Sequence, residues 1–151
     1  MGQQQLILLV LATVIVGIAI VVGIRAFTEN SIKANSDALI QDMVRVASDA
    51  QAWKQKPAPF GGQPEGAPKQ DPADYTGATL PLLGYAVNAG NAYVNLNGGY
   101  TVTAAATGLT IVACNELKGN TATIVVNGIT DANITQSALV LGTSTCTVPT
   151  S

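Results

Sequence analysis

The period of the hydrophobic pattern changes twice along this chain. From Leu6 to Ile24 run 19 residues without a charge, and Thr13 is the one polar side chain among them. As a helix rising about 1.5 Å per residue, the run spans about 28 Å, close to the ~30 Å hydrocarbon thickness of a bilayer. A core helix in a small domain needs apolar residues on one face. This run carries them on every face and therefore predicts residence in a membrane. A cleavable secretory signal has a shorter apolar region of about 7–15 residues, a basic start and an Ala-x-Ala-like site. The pattern here differs on all three counts, so the segment is expected to stay in the protein.

After Arg25 the pattern becomes one-sided. Ile32, Leu39, Met43, Val46, Ala50 and Trp53 recur at spacings of three and four beyond the first gap. Lys33, Asp37, Asp42, Arg45 and Asp49 occupy mainly the other faces. This is the 3.6-residue period of a helix with one side on a core, and Trp53 is expected to anchor it against a sheet. Proline is absent before Pro57, and Gly17 and Gly23 are the interior breakers, so residues 1–24 and 25–54 should form one continuous helix. Residues 55–83 contain Pro57, Pro59, Pro64, Pro68, Pro72 and Pro81 together with Gly61, Gly62, Gly66 and Gly77. Such a composition excludes a long helix or a central strand and predicts a loop region.

From Gly84 to the C-terminus the period is two. Tyr93–Leu96, Tyr100–Thr103, Leu109–Cys114, Ala122–Val126 and Ala138–Leu141 read as strands rich in Val, Ile, Thr and Tyr. Asn97-Gly98 and Asn127-Gly128 lie between them, and Asn-Gly favours the type I′ hairpin, whose central residues need positive φ. The expected fold is α+β. A long N-terminal helix, apolar then amphipathic, would pack residues 32–53 on an antiparallel sheet of about four strands within residues 84–151.

Composition narrows the function. The 151 residues include no histidine, carry a net charge of -2, and are 11% charged. A Ser-His-Asp triad, a Cys-His pair and a histidine-ligated zinc are therefore excluded. Carboxylate chemistry would have to draw on Glu65, Asp71 and Asp74, all in the loop region, where solvated charges are the simpler reading. Asp131 is the one carboxylate beyond residue 116, too few for a calcium cage. Seven scattered Lys and Arg residues give no nucleic-acid footprint, so no catalytic residue, metal, cofactor or nucleic acid is expected. Between Tyr75 and Ser151 only Glu116, Lys118 and Asp131 are charged, which fits a Thr- and Asn-rich extracellular surface or one covered by neighbouring copies or sugars. Asn133-Ile134-Thr135 matches the glycosylation acceptor pattern. Cys114 and Cys146, an isolated pair in an exported chain, are expected to form one disulfide. A redox pair would more often read Cys-x-x-Cys, and a metal site would lack its other ligands.

A retained apolar helix, an amphipathic continuation, a variable loop, an antiparallel sheet and a late cysteine pair together resemble a type IV pilin. The resemblance covers the whole chain in order and architecture, and residues 1–54 carry most of it. It implies processing by a prepilin peptidase after a glycine, a commonly methylated new N-terminus, and polymerisation through the apolar helix. Met1 would be the first mature residue, or Gly2 the processing glycine with Gln3 first. The family's usual fifth-position glutamate is replaced by Gln5, followed by Leu6. A neutral amide forms no ion pair with a neighbour's terminal amine but can accept its hydrogen bond. The family's helix-loosening proline is also absent, and Gly17 and Gly23 are candidates for that role. Small residues at Ala12, Gly17, Ala19 and Gly23 allow close helix approach, with Ile15 near the middle of the buried run.

The implied function is a structural subunit of an extracellular type IV pilus-like filament. Its expected partners are copies of itself, the prepilin peptidase, the assembly machinery and, before assembly, the inner membrane. A minor pilin, a membrane-tethered pseudopilin or an anchored extracytoplasmic binding domain is the alternative.

Overall fold

A computed structural model describes residues 2–63, 72–143 and 145–149. The chain divides into two compact units, Met1–Ala34 and Asn35–Ser151, and a single helix, α1 (Gly2–Gln55), contributes to both. In the first unit every residue from Gly2 to Asn30 is exposed, including all the leucines, isoleucines and valines of the apolar run.

The second unit is built on a meander of five antiparallel strands in sequential order. These are β1 (Tyr93–Val94), β2 (Gly99–Ala105), β3 (Gly108–Asn115), β4 (Asn120–Val126) and β5 (Ile134–Val140). Strands therefore begin at Tyr93, and residues 84–92 form a further loop. Asn88 stops any earlier strand by folding back on itself. Its side-chain oxygen accepts the Ala92 N–H at 2.9 Å, its own N–H donates to the Ala92 carbonyl, and Asn91 adopts φ 58° between them.

The strand register sorts the side chains cleanly, because directly paired residues share a face. One face carries the rows Tyr100–Ala113–Ala122–Leu139, Val102–Ile111–Ile124–Gln136 and Ala104–Leu109–Val126–Ile134. The other carries Thr101–Val112–Thr123–Ala138 and Thr103–Thr110–Val125–Thr135, uncharged throughout. A one-residue bulge in β5 at Ser137, opposite Thr123 and Ile124, reconciles an odd spacing with this pattern. Without it, Ile134 and Leu139 would point to opposite faces.

The apolar face packs on α1. Leu39, Met43, Val46, Ala47, Ala50 and Trp53 join Tyr100, Leu109, Ile111, Ala113, Ala122, Ile124 and Val126 in one buried core. Tyr75, Ala78 and Leu80 close its side from the loop region. The expected helix face is thus the buried one, with one correction. Ile32 falls in the first unit and is only half-buried, and the packed face opens at Ser36, next to the Asn35 side chain that meets the end of the sheet.

The Asn-Gly turns also differ from expectation. None of Asn97, Gly98, Asn127 and Gly128 has positive φ, so neither pair makes a type I′ turn. The β1–β2 turn is instead held by Asn95, whose Oδ1 accepts the N–H groups of Asn97 and Gly98 at 2.8 and 3.1 Å. The β4–β5 connection lengthens to residues 127–133, because the Gly128 carbonyl is drawn inward to accept Gln51 Nε2 at 3.0 Å and Tyr75 Oη at 2.7 Å.

Beyond β5 the tail crosses the end of the sheet as a strap. Cys146 is bonded to Cys114 with a Cα–Cα distance of 6.0 Å, as the isolated pair predicts. Three glycines make room for it: a Cβ on Gly119 would press on Gly142, one on Gly99 would collide with Val148, and one on Gly90 with Pro149. Glu116 accepts the Val148 N–H, and Asn88 donates to the Pro149 carbonyl. In the chain-entropy model, closing a loop of this length stabilises the fold by about 3–4 kcal/mol. Cys146→Ser is therefore expected to lower the unfolding free energy of the full chain in detergent by about that amount, measured by denaturant titration.

Candidate assembly helix and its supporting network

The feature of the chain with no internal explanation is the exposed apolar half of α1. Leu, Ile and Val side chains from Leu6 to Ile24 are each 52–67% exposed. Removing such a side chain from water is worth about 1.5–3 kcal/mol, so the run strongly favours an apolar environment over water. Nothing polar in it opposes this transfer, since the Thr13 hydroxyl is satisfied by the Val10 carbonyl at 2.8 Å. The same device recurs at Thr28, which donates to the Ile24 carbonyl at 3.0 Å.

Gln5, Leu6 and Ile15 lie on this exposed helix, as do Gly17 and Gly23. A Cβ built at Gly2, Gly17 or Gly23 would meet nothing within 4 Å. The fold of the single chain therefore does not require glycine at these positions. Gly17 lies in a shallow apolar groove with Leu9, Ala12, Thr13, Val16 and Ile20, which gives the helix a surface another helix can approach closely. Met1 lies outside the described residues.

In the second unit the amphipathic part of α1 is fixed by a polar network that the sequence pattern did not reveal. Asp42 sits at its centre. Its Oδ2 accepts Asn95 Nδ2 and Asn97 Nδ2 at 2.8 Å each and Tyr100 Oη at 2.7 Å. Burial pushes this carboxyl up, but donation from Asn97, Tyr100 and Asn95, with the Arg45 charge, outweighs it and holds the group below the usual carboxylate range. Asn35, seven residues earlier on the helix, donates to the Asn97 carbonyl at 2.9 Å and accepts from the fully buried Asn120 at 2.9 Å. Asn120 Oδ1 in turn holds the Gly142 N–H at 3.0 Å, at the start of the strap. Helix, β1–β2 turn, the start of β4 and the tail thus share one chain of hydrogen bonds. The only signal for it in the sequence is the spacing Asn35–Asp42, two helical turns.

A second polar contact ties α1 to the strands from the side. Asp49 Oδ2 accepts Tyr85 Oη at 2.5 Å, and Tyr85, Tyr93 and Tyr100 stack in series with centroids 5.0 and 5.6 Å apart. At the far end of the helix, buried Lys54 donates to the Asp74 carbonyl and lies 4.9 Å from the Tyr75 ring centroid. Burial raises the Tyr75 hydroxyl to about 12. The Asp74 carboxylate accepts the Thr76 N–H at 2.8 Å, a turn-forming role. Glu65 and Asp71 lie outside the described residues. Among the described residues no three His, Cys, Asp or Glu side chains come together in a way that could hold a metal. Asn133 is half-buried on the β4–β5 connection, where its Oδ1 accepts the Thr130 hydroxyl.

Comparisons with protein-family models, with curated proteins and with solved structures found no match to this chain. The architecture alone, a long apolar N-terminal helix whose amphipathic continuation packs on an antiparallel sheet with a disulfide-tied tail, is pilin-like.

The Asp42 network generates a pH prediction with a definite sign. A carboxyl whose folded-state pKa is depressed contributes stability that is present above its unfolded value, about 3.9, and is lost as pH falls through the folded value. The melting temperature of the full chain should therefore fall as pH drops below about 4, and the Asp42→Asn variant should show a flatter acid limb. At neutral pH that variant should be less stable by about 1.5–3 kcal/mol, the usual worth of a hydrogen bond to a charged group.

Proposed function

We propose that this chain is a structural subunit of an extracellular type IV pilus-like filament. Residues 6–24 reside in the inner membrane before assembly and are buried against copies of themselves after it. The observation that carries this reading is the exposed run itself: its length matches a bilayer, and its apolar surface is unbroken by any charge. A bilayer-length helix fused to a folded domain can leave lipid only if another apolar environment replaces lipid. A bundle of identical helices provides one, and head-to-tail contacts that do not close into a ring extend it into a filament. The exposed Gly17 and Gly23 notches and the groove at Ala12 and Thr13 support close helix approach in such a bundle.

Under this reading the prepilin peptidase and the assembly machinery are the partners that expose and extract the helix. Gln5 would accept a hydrogen bond from a neighbouring N-terminal amine in place of an ion pair. The second unit, with its own core and disulfide, forms the outer part of the filament.

The test is a charge placed in the run. Arg at the centre of a membrane helix costs about 2.5–3.5 kcal/mol by insertion scales, and a polymer core repeats that cost in every subunit. Ile15→Arg is expected to abolish filaments in sheared cell-surface preparations viewed by electron microscopy, and normal filament yield from this variant would overturn the reading. Deleting residues 1–24 should leave a soluble, monomeric, folded domain by circular dichroism and size-exclusion chromatography. An anchored binding domain would instead keep its ligand affinity after the same deletion and show no filaments in the intact chain.

A further inference from the structure

The chain contains two Asn-Gly pairs, Asn97-Gly98 and Asn127-Gly128, and the fold treats them in opposite ways. An asparagine can close a ring on its own backbone when the nitrogen of the next residue attacks its side-chain Cγ. Glycine in that next position allows the closest approach, because it has no Cβ and few forbidden dihedrals. Two hydrogen bonds oppose the reaction. One keeps the proton on the attacking nitrogen, and the other fixes the side-chain amide in place.

At Asn97 both are present. The Gly98 N–H donates to Asn95 Oδ1 at 3.1 Å, and Asn97 Nδ2 donates to Asp42 Oδ2 at 2.8 Å. The Asn97 N–H goes to the same Asn95 oxygen at 2.8 Å, and its carbonyl accepts Asn35 Nδ2 at 2.9 Å. Ring closure here has to break several bonds together, one of them to a charged acceptor. At Asn127 the reacting atoms are unrestrained. The residue is exposed, and none of the described residues hydrogen-bonds its side chain or accepts the Gly128 N–H. The chain is anchored only on either side of those atoms. The Asn127 N–H donates to the Asn133 carbonyl at 3.0 Å, and the Gly128 carbonyl accepts Gln51 Nε2 at 3.0 Å and Tyr75 Oη at 2.7 Å.

We propose that Asn127 is a site of spontaneous deamidation selected by the fold, and that the same fold protects Asn97. The Gly128 nitrogen loses its proton to solvent base and bonds to Asn127 Cγ. The Cγ–Nδ2 bond breaks, and Nδ2 leaves as ammonia with a proton taken from water. Water then opens the cyclic imide and restores the Gly128 N–H. Attack at Cγ yields aspartate, and attack at the backbone carbonyl carbon yields isoaspartate. The sum is one water in and one ammonia out, with no oxidant or reductant. Either product puts a new carboxylate on the β4–β5 connection. The isoaspartyl product also routes the backbone through Cβ, which adds a methylene just before Gly128. That displaces the carbonyl to which Gln51 and Tyr75 both donate, so the modification loosens the end of α1 from the sheet. The inference is independent of the filament reading.

The test uses the purified full chain in detergent, kept folded at mildly alkaline pH, where the attacking nitrogen loses its proton more readily. After reduction, trypsin cuts after Lys69 and Lys118 and places the two pairs on separate peptides, 70–118 and 119–151. Fragmentation in the mass spectrometer distinguishes Asn127 from Asn120 and Asn133. Deamidation should run about tenfold faster at Asn127 than at Asn97, a barrier difference of about 1.4 kcal/mol. In guanidinium chloride, with the hydrogen bonds gone, the two rates should converge. Asn95→Ala removes the acceptor of the Gly98 N–H and should speed the reaction at Asn97, with circular dichroism checking that the variant is folded. Incubation should lower the melting temperature of the parent chain. It should leave Asn127→Gln unchanged, because the longer side chain closes its ring far more slowly. Equal rates at the two sites in the folded chain, or reaction at Asn127 only after unfolding, would overturn the proposal. An unchanged melting temperature in chains carrying isoaspartate at 127 would overturn the loosening of α1.

Discussion

Leucine, isoleucine and valine on every side of a helix leave two solvents open to residues 6–24, lipid tails and other helices of the same kind. The helix satisfies its own backbone hydrogen bonds, so the side chains decide, and both of these surroundings accept them without the cost that water imposes. This constraint orders the rest of the chain. Charge resumes only at Arg25, the period of α1 becomes one-sided just after it, and the packed core begins only in the second unit. The two units accordingly differ in kind. The first presents apolar surface outward, and the second turns its apolar surface inward onto the sheet.

Within the second unit, stability and orientation come from different groups. The apolar rows of the sheet against Leu39, Met43, Val46 and Trp53 supply the burial. A row of apolar contacts would tolerate sliding of the helix along the strands, because ridges of similar size recur every turn. The hydrogen bonds of Asn35 and Asp42 to the turns at Asn95–Gly98 and to Asn120 remove that freedom by pairing specific atoms. Among the described residues of the loop region, Tyr75, Ala78 and Leu80 join the core.

Much of this was legible from side-chain period alone. The 3.6-residue spacing of Leu39, Met43, Val46, Ala50 and Trp53 and the alternation in β2, β3 and β4 each reflect burial of one face, which is a strong and local constraint. The cysteine pair was legible for a related reason, since two thiols in a chain with no other cysteine and no histidine have few other uses. The features that escaped depend on atoms far apart in sequence. Asn97 and Asn127 look like type I′ turn residues until Asp42 claims the first side chain and Gln51 and Tyr75 claim the carbonyl beside the second. Ser137 gives no sign of a bulge until Ile134 and Leu139 must share a face. Of the candidate assembly surface, the apolar run was fully readable.

The disulfide has a consequence beyond folding energy. It turns residues 114–146 into a covalent ring that contains all of β4 and β5 and the connection between them. That connection includes exposed Ile129, Thr130, Asp131 and Ala132, the kind of surface segment proteases cut first. A single nick there opens the ring but releases nothing, since the two fragments stay joined through sulfur and through the β4–β5 ladder. A protein in this fold can be cut there and still hold its shape.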